Sequence, residues 1–238
     1  MLISMRSSYQ RMTADHPNGA DRKLPIANLK SPPMDVLITA GPTREPIDPV
    51  RYIGNRSSGR MGAALVSGAL AAGHRVTVIL GPVAFAFPAG VRRIDVETAA
   101  QMHDAVLREF PSHDLLIMAA AVADYRPIHV HSDKLGREGA LTIECEATPD
   151  IVATAAKIKR PGQRIIGFSL ESEGNLARAR QKLARKNLDL IVYNPVGTMN
   201  SEEVEATLIW PDGREEPLPR QSKMQFAQTL LNERGAAP

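Results

Sequence analysis

The fold is decided by residues 35–81, which read DVLITAGPTREPIDPVRYIGNRSSGRMGAALVSGALAAGHRVTVILG. Apolar runs at 35–40 and 75–81 are typical of buried strands, and residues 59–74 carry small and apolar side chains at helical spacing. A strand, a crossover helix and a second strand predict parallel neighbours in one sheet. The intervening stretch 41–58 is rich in proline and glycine, and we expect a long loop there.

The alternation of strands and helices continues along the chain. Strands are predicted at 91–96, 114–121, 164–171 and 189–194, and helices at 100–110, 148–159 and 175–187. A flap at about 126–147 interrupts the rhythm, and we expect a strand pair there. The chain then forms a hairpin that turns at 211–214 and a final helix at 222–234. The predicted fold is an α/β, Rossmann-like, doubly wound and mostly parallel sheet, with a flap excursion and a C-terminal β-hairpin plus helix.

Composition bounds the classes of protein that this chain can belong to. With 238 residues, 43% hydrophobic and 23% charged, it suits one large globular domain at 34–238, preceded by a disordered lead at 1–33. Cys145 is the only cysteine, which excludes an internal disulfide and a cysteine-cluster zinc site. No apolar run approaches the roughly 18–20 residues that span a bilayer. We therefore expect a cytoplasmic protein with no membrane partner.

The charge of the chain does not favour nucleic acid. The formal net charge of +3 falls on residues 1–33, so residues 34–238 are neutral. Aromatic residues make up only 4%, which argues against stacked base platforms. Any anion bound by the folded body must be held by a local site.

Residues 55–62, NRSSGRMG, join the loop to the first helix and predict a phosphate site. A helix N-terminus offers unpaired N–H groups and partial positive charge, to which Ser57, Ser58, Gly59 and Arg60 add hydroxyls, close approach and a cation. The stretch matches neither the dinucleotide fingerprint nor the P-loop. The alternative is an ordinary serine N-cap followed by helix packing through Gly62.

Two further segments carry candidate nucleotide contacts. Ala120 and Ala121 end the fourth strand and allow close approach of a base or ribose, and Asp124 follows them. A carboxylate beside a triphosphate suits Mg²⁺, although Asp124 can instead cap its loop and pair with Arg126. Phe168 ends a later strand and can stack on a base, although a core position is the commoner fate of an aromatic side chain.

Cations on two other segments complete the candidate set. Lys182 and Lys186 share one helix face with Arg178, and no acidic residue is interleaved with them, which is consistent with an anion site; a solubilising face is the alternative. Arg51 lies in the charged loop after the first strand, where open α/β sheets place ligands, and Lys134 lies on the flap. Surface salt bridges and solvation are the alternatives for these last two residues.

The whole pattern resembles the phosphopantothenoylcysteine synthetase family. The resemblance covers about residues 34–234 and is carried by TAGPTREPIDPVRYIGNRSSGRMG (39–62), AAAVADYRP (119–127), Asp133-Lys134, ATPDI (147–151), GFSLES (167–172) and RQKLARKNLDLIVYN (180–194). It implies a ligase that joins 4′-phosphopantothenate to cysteine in coenzyme A biosynthesis. The implied reaction uses CTP and Mg²⁺ or Mn²⁺, and passes through an acyl-cytidylate.

The resemblance also implies a role for each candidate residue. Asn55 would handle the acyl-nucleotide, with Arg51 and Lys134 as further catalytic residues. The nucleotide would be held by the remaining candidates, with Asp124 also serving the metal: Ser57, Ser58, Gly59, Arg60, Ala120, Ala121, Asp124, Phe168, Lys182 and Lys186. The family forms homodimers in which each flap reaches the partner's site. A flavin-dependent decarboxylase domain is absent from this sequence, so we expect a stand-alone enzyme without flavin.

Two other functions stay open at this point. A nicotinamide-dependent oxidoreductase would share the fold, but no GxGxxG follows the first strand. A non-catalytic nucleotide-binding regulator is favoured by Pro42 and Pro195, which depart from the family pattern. The presence of Asn55 together with Lys134 argues against it, because binding alone does not require that asparagine.

Overall fold

The computed structural model describes residues 32–137, 139–171, 175–198 and 201–231. The predicted disordered lead at 1–33 falls almost entirely outside these ranges, so it stays a prediction. Among the described residues, no helix combines the length and apolar character needed to cross a membrane.

The described part of the chain forms twelve strands and five α-helices. The strands are β1 (Asp35–Ala40), β2 (Arg44–Pro46), β3 (Tyr52–Gly54), β4 (Arg75–Leu80), β5 (Arg92–Asp95), β6 (Leu115–Met118), β7 (Tyr125–Pro127), β8 (Cys145–Ala147), β9 (Arg164–Glu171), β10 (Leu190–Pro195), β11 (Glu203–Ile209) and β12 (Glu215–Ser222). The helices are α1 (Arg60–Ala71), α2 (Ala99–Glu109), α3 (Ile151–Lys157), α4 (Leu176–Arg185) and α5 (Lys223–Thr229).

Eight strands form the central sheet in the order β12-β11-β10-β9-β6-β1-β4-β5. The six strands from β10 to β5 run parallel to their neighbours, and the β11–β12 hairpin adds two antiparallel strands at one edge. The sheet confirms the predicted α/β, Rossmann-like, mostly parallel fold.

Both faces of the sheet are covered, because alternate residues of each strand enter opposite cores. In β1, Val36 and Ile38 pack with α1 and α5 on one face. Leu37, between them, packs with α2, α3 and α4 on the other face. The near-continuous apolar strands of the sequence are the signature of this double burial.

The direction of winding reverses between β1 and β6. The chain leaves the carboxyl end of β1 and returns through α1 to β4 on one side, whereas it leaves β6 and returns through α3 to β9 on the other. Open α/β sheets bind ligands at such a reversal, since the diverging loops leave a crevice there. The fold therefore points to the loops that follow β1 and β6.

The structure corrects the interpretation of residues 41–58 as a plain loop. β2 and β3 pair as a short antiparallel hairpin inside this stretch. The Asp48 carboxylate accepts hydrogen bonds from the N–H groups of Val50 and Arg51, both at 2.8 Å, and so closes the turn. Strands of three residues carry too little hydrophobic alternation to be recognised in a proline-rich sequence.

Other predicted elements agree with the structure, with shifted ends. The flap contains the expected strand pair, β7 with β8. α3 begins at Ile151 and not at 148, because the Asp150 side chain caps it by accepting from the N–H of Ala153, and it ends at Lys157. Ser222 caps α5 as predicted, in a capping box with Gln225.

Candidate functional site

A cleft of about 1030 Å³ opens where β6, β9 and β10 approach their carboxyl ends, beside the first turn of α1. A smaller hollow of about 480 Å³ adjoins it along α4, and Asp124, Lys182 and Lys186 line both. The larger volume is ample for a small-molecule site. The cleft occupies the reversal of winding described above, so the topology itself places it.

One side of the cleft, residues 55–62, is here called the glycine wall. Gly59 stands at the N-cap of α1 with φ +77°, and within the described residues no side-chain hydrogen bond caps this helix. Instead, the N–H of Gly59 donates to Ser57 Oγ at 3.3 Å. The serine N-cap, which was the alternative to a phosphate site, does not form, and the first turn of α1 faces the cleft with N–H groups that the helix itself does not use.

The predicted packing through Gly62 is present as well. A Cβ built on Gly62 would lie 2.3 Å from the Cβ of Ala40, so α1 sits directly against β1. The sequence left phosphate binding and close helix packing as alternatives. In the structure the two are compatible, because the packing of Gly62 against Ala40 brings the first turn of α1 to the carboxyl end of β1.

The floor of the cleft is the loop after β6, and it is held by the buried hydroxyl of Thr43 and the side-chain amide of Asn55. Thr43 Oγ1 accepts from the N–H of Ala123 at 2.9 Å, and Asn55 Nδ2 donates to the carbonyls of Ala121 and Val122 at 3.1 and 2.9 Å. Ala120 and Ala121 line the cleft as predicted. Asn55 thus ties the glycine wall to the floor.

The opposite side, here called the cationic wall, consists of Arg178, Lys182, Arg185 and Lys186 on and just after α4. Lys182 Nζ donates to the carbonyl of Phe168 at 3.0 Å. Burial lowers the pKa of Lys182, and the neighbouring charge of Lys186 adds to this effect. A partly desolvated ammonium group gains more from an incoming anion than a solvated one does.

Counter-ions for this wall come from other elements. Lys186 Nζ lies 2.9 Å from Asp150 Oδ1, and Arg178 lies 3.5 Å from Glu171. Burial alone would raise the pKa of Asp150, but Lys186 and the Ala153 N–H hold it below its usual range. Two cations of the α4 face are therefore already paired with carboxylates, although α4 itself supplies no acidic residue beside them.

Asp124 is exposed and lines both hollows, and its role as a nucleotide and metal ligand stays a prediction. The predicted alternative pairing does not form, since Arg126 instead binds Glu146, with Nε 2.9 Å from Oε1. Within the described ranges, no three acidic, histidine or cysteine side chains converge to hold a metal by themselves. Mg²⁺ commonly takes one or two carboxylates together with substrate phosphates, so Asp124 fits that pattern.

Two predicted nucleotide contacts have other partners. Arg60 lines the cleft but forms an ion pair with Glu202. Phe168 also lines the cleft, yet its ring packs edge-on against Phe226 with 6.3 Å between centroids. An aromatic that is half-buried in this way contributes to the core first, which was the alternative in the sequence.

Arg51 and Lys134 are not among the residues that line the cleft of this chain. Arg51 Nη1 instead lies 2.8 Å from Asp48 Oδ2, so the salt-bridge alternative is present. Lys134 is exposed on the flap. Their catalytic roles stay predictions, and a role for Lys134 in the site of a second copy stays one as well.

The structure also brings residues to the cleft that were not among the candidates. Asp150, Asn194 and Lys223 line it, although they come from three distant parts of the sequence. Asp150 belongs to the quoted ATPDI motif, so that motif could have found it. Asn194 likewise ends the quoted stretch at 180–194. Lys223 carries no local signal, because only the sheet order brings the start of α5 to the end of β10.

Comparison with known proteins assigns the chain to a family. The model of the DNA/pantothenate metabolism flavoprotein C-terminal domain matches residues 33–235. The chain belongs to this family. The resemblance found in the sequence is thereby confirmed, and it extends over the described domain.

Curated relatives and a solved structure agree with this assignment. The coenzyme A biosynthesis bifunctional protein CoaBC of Vibrio cholerae is 45% identical over 204 residues, covering 83% of this chain and 51% of that protein. The Escherichia coli K12 CoaBC is 42% identical over 217 residues, covering 88% and 53%. The crystal structure of the C-terminal domain of CoaBC matches with a TM-score of 0.72 at 38% identity, covering 83% of this chain and 91% of that one. The chain spans about half the length of the curated relatives it matches.

Proposed function

We propose that this chain joins 4′-phosphopantothenate to L-cysteine in coenzyme A biosynthesis, with CTP as the activating nucleotide. The observation that carries the proposal is the cleft itself. Its glycine wall offers helix N–H groups and its cationic wall offers Lys182 and Lys186, with Asp124 between two hollows that both reach α4. Membership of the pantothenate family supports the choice of acid.

The chemistry divides into two balanced steps. A carboxylate oxygen of phosphopantothenate attacks the α-phosphorus of CTP, the bond to the β-phosphate breaks, and pyrophosphate leaves. The cysteine nitrogen then attacks the acyl carbon, the bond to CMP breaks, and the amine releases its proton. A carboxylate is a poor acyl donor, so activation supplies the leaving group that the second step needs. No electrons are transferred, so the reaction requires no flavin.

Each wall has a separate task in this proposal. The charge that grows on the phosphates in the first step is balanced by Lys182 and Lys186, with helix N–H groups on the other side. Ser57, Ser58, Gly59 and Arg60 hold the triphosphate, and Arg60 would exchange Glu202 for phosphate. Asp124 would hold Mg²⁺, which would supply positive charge against the phosphates.

Asn55 has the second step as its task. Its amide already donates to the carbonyls of Ala121 and Val122, which fixes its position beside the floor. Stabilising the oxyanion of aminolysis would replace one of these two contacts by the acyl oxygen. A neutral donor suits this role, because it needs no proton transfer of its own.

We also propose that the chain acts as a homodimer. Support comes from large apolar side chains that are exposed on the flap: Tyr125, Ile128, Val130 and Leu141 are between 48% and 60% exposed. A second copy would cover this apolar surface, and Lys134 of one chain would then lie near the cleft of the other. Light scattering at several concentrations tests this, and a strictly monomeric chain would contradict it.

The reaction itself is tested by supplying the full chain with Mg²⁺, phosphopantothenate, cysteine and either CTP or ATP. We expect pyrophosphate release that requires both Mg²⁺ and phosphopantothenate, and a new amide product by mass spectrometry only when cysteine is present. Nucleotide binding without turnover would favour the regulator. A substrate-dependent change in nicotinamide absorbance would favour the oxidoreductase.

A further inference from the structure

Asp48 lies outside the cleft, yet its carboxylate is fully buried and saturated with donors. The side chain has 0% exposure. Its Oδ1 accepts from the N–H groups of Val50 and Arg51, both at 2.8 Å. Its Oδ2 accepts from Arg51 Nη1 at 2.8 Å and, across 87 residues of sequence, from the N–H of Leu135 at 3.1 Å.

The carbonyl group of Leu135 is held as well as its N–H group. Both Nη1 and Nη2 of Arg51 donate to the Leu135 carbonyl at 3.3 Å. Four residues earlier, the N–H of His131 donates to the carbonyl of Ile47 at 2.9 Å. The flap segment 131–135 is therefore fastened to the β2–β3 turn at two points, through its backbone.

The ionised state of Asp48 suits this fastening. Burial alone would raise the pKa of Asp48, but the N–H groups of Val50, Leu135 and Arg51 and the Arg51 guanidinium hold it below its usual range. The carboxylate stays charged at neutral pH, and charge-assisted hydrogen bonds are stronger than neutral ones. Its loss would leave the Leu135 N–H and the Arg51 guanidinium without this acceptor.

Lys134 immediately precedes Leu135, the residue whose N–H and carbonyl groups are held. We propose that Asp48 is a positioning residue of the ligase: it clamps the Leu135 peptide, together with Arg51, and thereby sets where the flap presents Lys134. Arg51 is then a positioning residue of the same clamp, in contrast to the catalytic role that the sequence suggested. This inference rests on the proposed function for its kinetic consequences, whereas the clamp itself does not.

The first test of the clamp needs no substrate. Asp48→Asn keeps one oxygen for the local turn but places an NH₂ group against both the Leu135 N–H and Arg51 Nη1, so it breaks the two contacts of the clamp that Oδ2 accepts. We expect amide hydrogen exchange in segment 131–135 to accelerate roughly tenfold or more, with the thermal melt still cooperative. Asp212→Asn is the matched control: Asp212 Oδ1 also accepts from a backbone N–H two residues on, that of Arg214 at 2.9 Å, far from the flap.

A second variant covers the case in which Asp48→Asn fails to fold. Leu135→Pro removes the N–H donor and leaves Asp48 and its turn intact. It should accelerate exchange at residues 131–134 to a similar degree. Exchange that stays at the wild-type rate in folded Asp48→Asn, or in Leu135→Pro, would overturn the clamp.

The second test asks whether the clamp acts through Lys134. We expect Asp48→Asn to lower the rate of product formation roughly 10- to 100-fold, as misplacement of a reacting group does, with nucleotide affinity unchanged because Asp48 is outside the cleft. In a Lys134→Ala background the same change should have little further effect, since the group it positions is gone. A merely structural role predicts equal losses in both backgrounds, which would refute the positioning role. If the wild-type chain forms no product, the proposed function fails, and the exchange experiment still decides the clamp.

Discussion

The two walls of the cleft present polar groups to a ligand by opposite means. The glycine wall works through backbone and through the absence of side chains, with Gly59 at φ +77° and Gly62 against β1. The cationic wall works through long side chains whose charges are balanced by Asp150 and Glu171 from other elements. Substitutions of the two glycines on the first wall should therefore disturb geometry and stability, whereas those of the cations on the second should change affinity.

The largest expected effect concerns Asn55, which joins the glycine wall to the floor. For Asn55→Ala we expect product formation to fall by roughly 10²–10³, the usual cost of losing an oxyanion donor, while pyrophosphate is still released. Mass spectrometry should detect the acyl-nucleotide, and Asn55→Asp, which keeps the shape without the donor, should behave alike. Normal product formation would remove Asn55 from the second step.

The next effect tests whether the glycine wall is a matter of packing. A methyl group on Gly62 would lie 2.3 Å from the Cβ of Ala40, so Gly62→Ala must displace α1 from β1. We expect the free energy of unfolding to fall by about 1–3 kcal/mol, the cost of overpacking, in spite of the better helix propensity of alanine. Denaturant unfolding measures this, with Gly197→Ala as the control because nothing lies within 4 Å of a Cβ there. Equal free energies of unfolding for the two variants would show that α1 can move away from β1 without loss of stability.

A smaller effect is expected on the cationic wall. Lys182→Met keeps the bulk of the side chain and removes its charge, so we expect the Kd for CTP to rise about tenfold with little change in stability, as for the loss of one charge-assisted contact. Burial and the charge of Lys186 lower the pKa of Lys182. As the pH rises, Lys182 should therefore lose its charge, and the wild-type chain part of its affinity for CTP, at a lower pH than an ordinary lysine would. Isothermal titration tests both, and the exposed Lys157→Met is the control. A loss of stability as large as that of Gly62→Ala would erase the contrast between the walls.

The smallest effect lies away from both walls, after the end of α1. Burial lowers the pKa of His74, outweighing an opposing contact with the backbone of Leu231, and its Nδ1 accepts from the N–H of Met34 at 3.2 Å. The unfolded chain therefore binds a proton more readily than the folded one, so stability should decline as pH falls through the ordinary histidine range near 6.5. His74→Gln should flatten this part of the pH–stability curve without changing turnover at neutral pH. An unchanged curve would exclude His74 as its source.

The sequence predicted the sheet well because buried parallel strands leave a strong local signal. The apolar runs of β1, β4, β6, β9 and β10 could be read directly, and the end of β6 located Ala120 and Ala121 of the floor. Asn55 and the serines of the glycine wall were located by the helix start that follows them, because β3, which precedes them, was not predicted. The three-residue strands β2 and β3 were missed, since their pairing depends on the Asp48 turn and not on hydrophobic alternation.

The site was predicted less completely, because its charges are distributed over distant segments. The α4 face was expected to be unneutralised, yet Asp150 reaches Lys186 from α3. Arg60 was expected to face phosphate and instead pairs with Glu202. Arg51 was expected in the cleft and is instead bound to Asp48 and Leu135. Asp150, Glu202 and Leu135 are distant in sequence from the cations that they meet, so nothing local encodes these contacts. Asp48 is only three residues from Arg51, and a salt bridge was the alternative that the sequence offered for Arg51.

By itself, the sequence determined which elements form and which segments can bind an anion, because periodicity, glycine placement and helix starts are properties of neighbouring residues. The tertiary structure alone decided which of those segments share a cleft and which charges are already neutralised. The order of strands in the sheet brings β1, β6, β9 and β10 side by side, and the long-range ion pair of Lys186 with Asp150 forms because the fold places the two side chains within a few ångströms of each other.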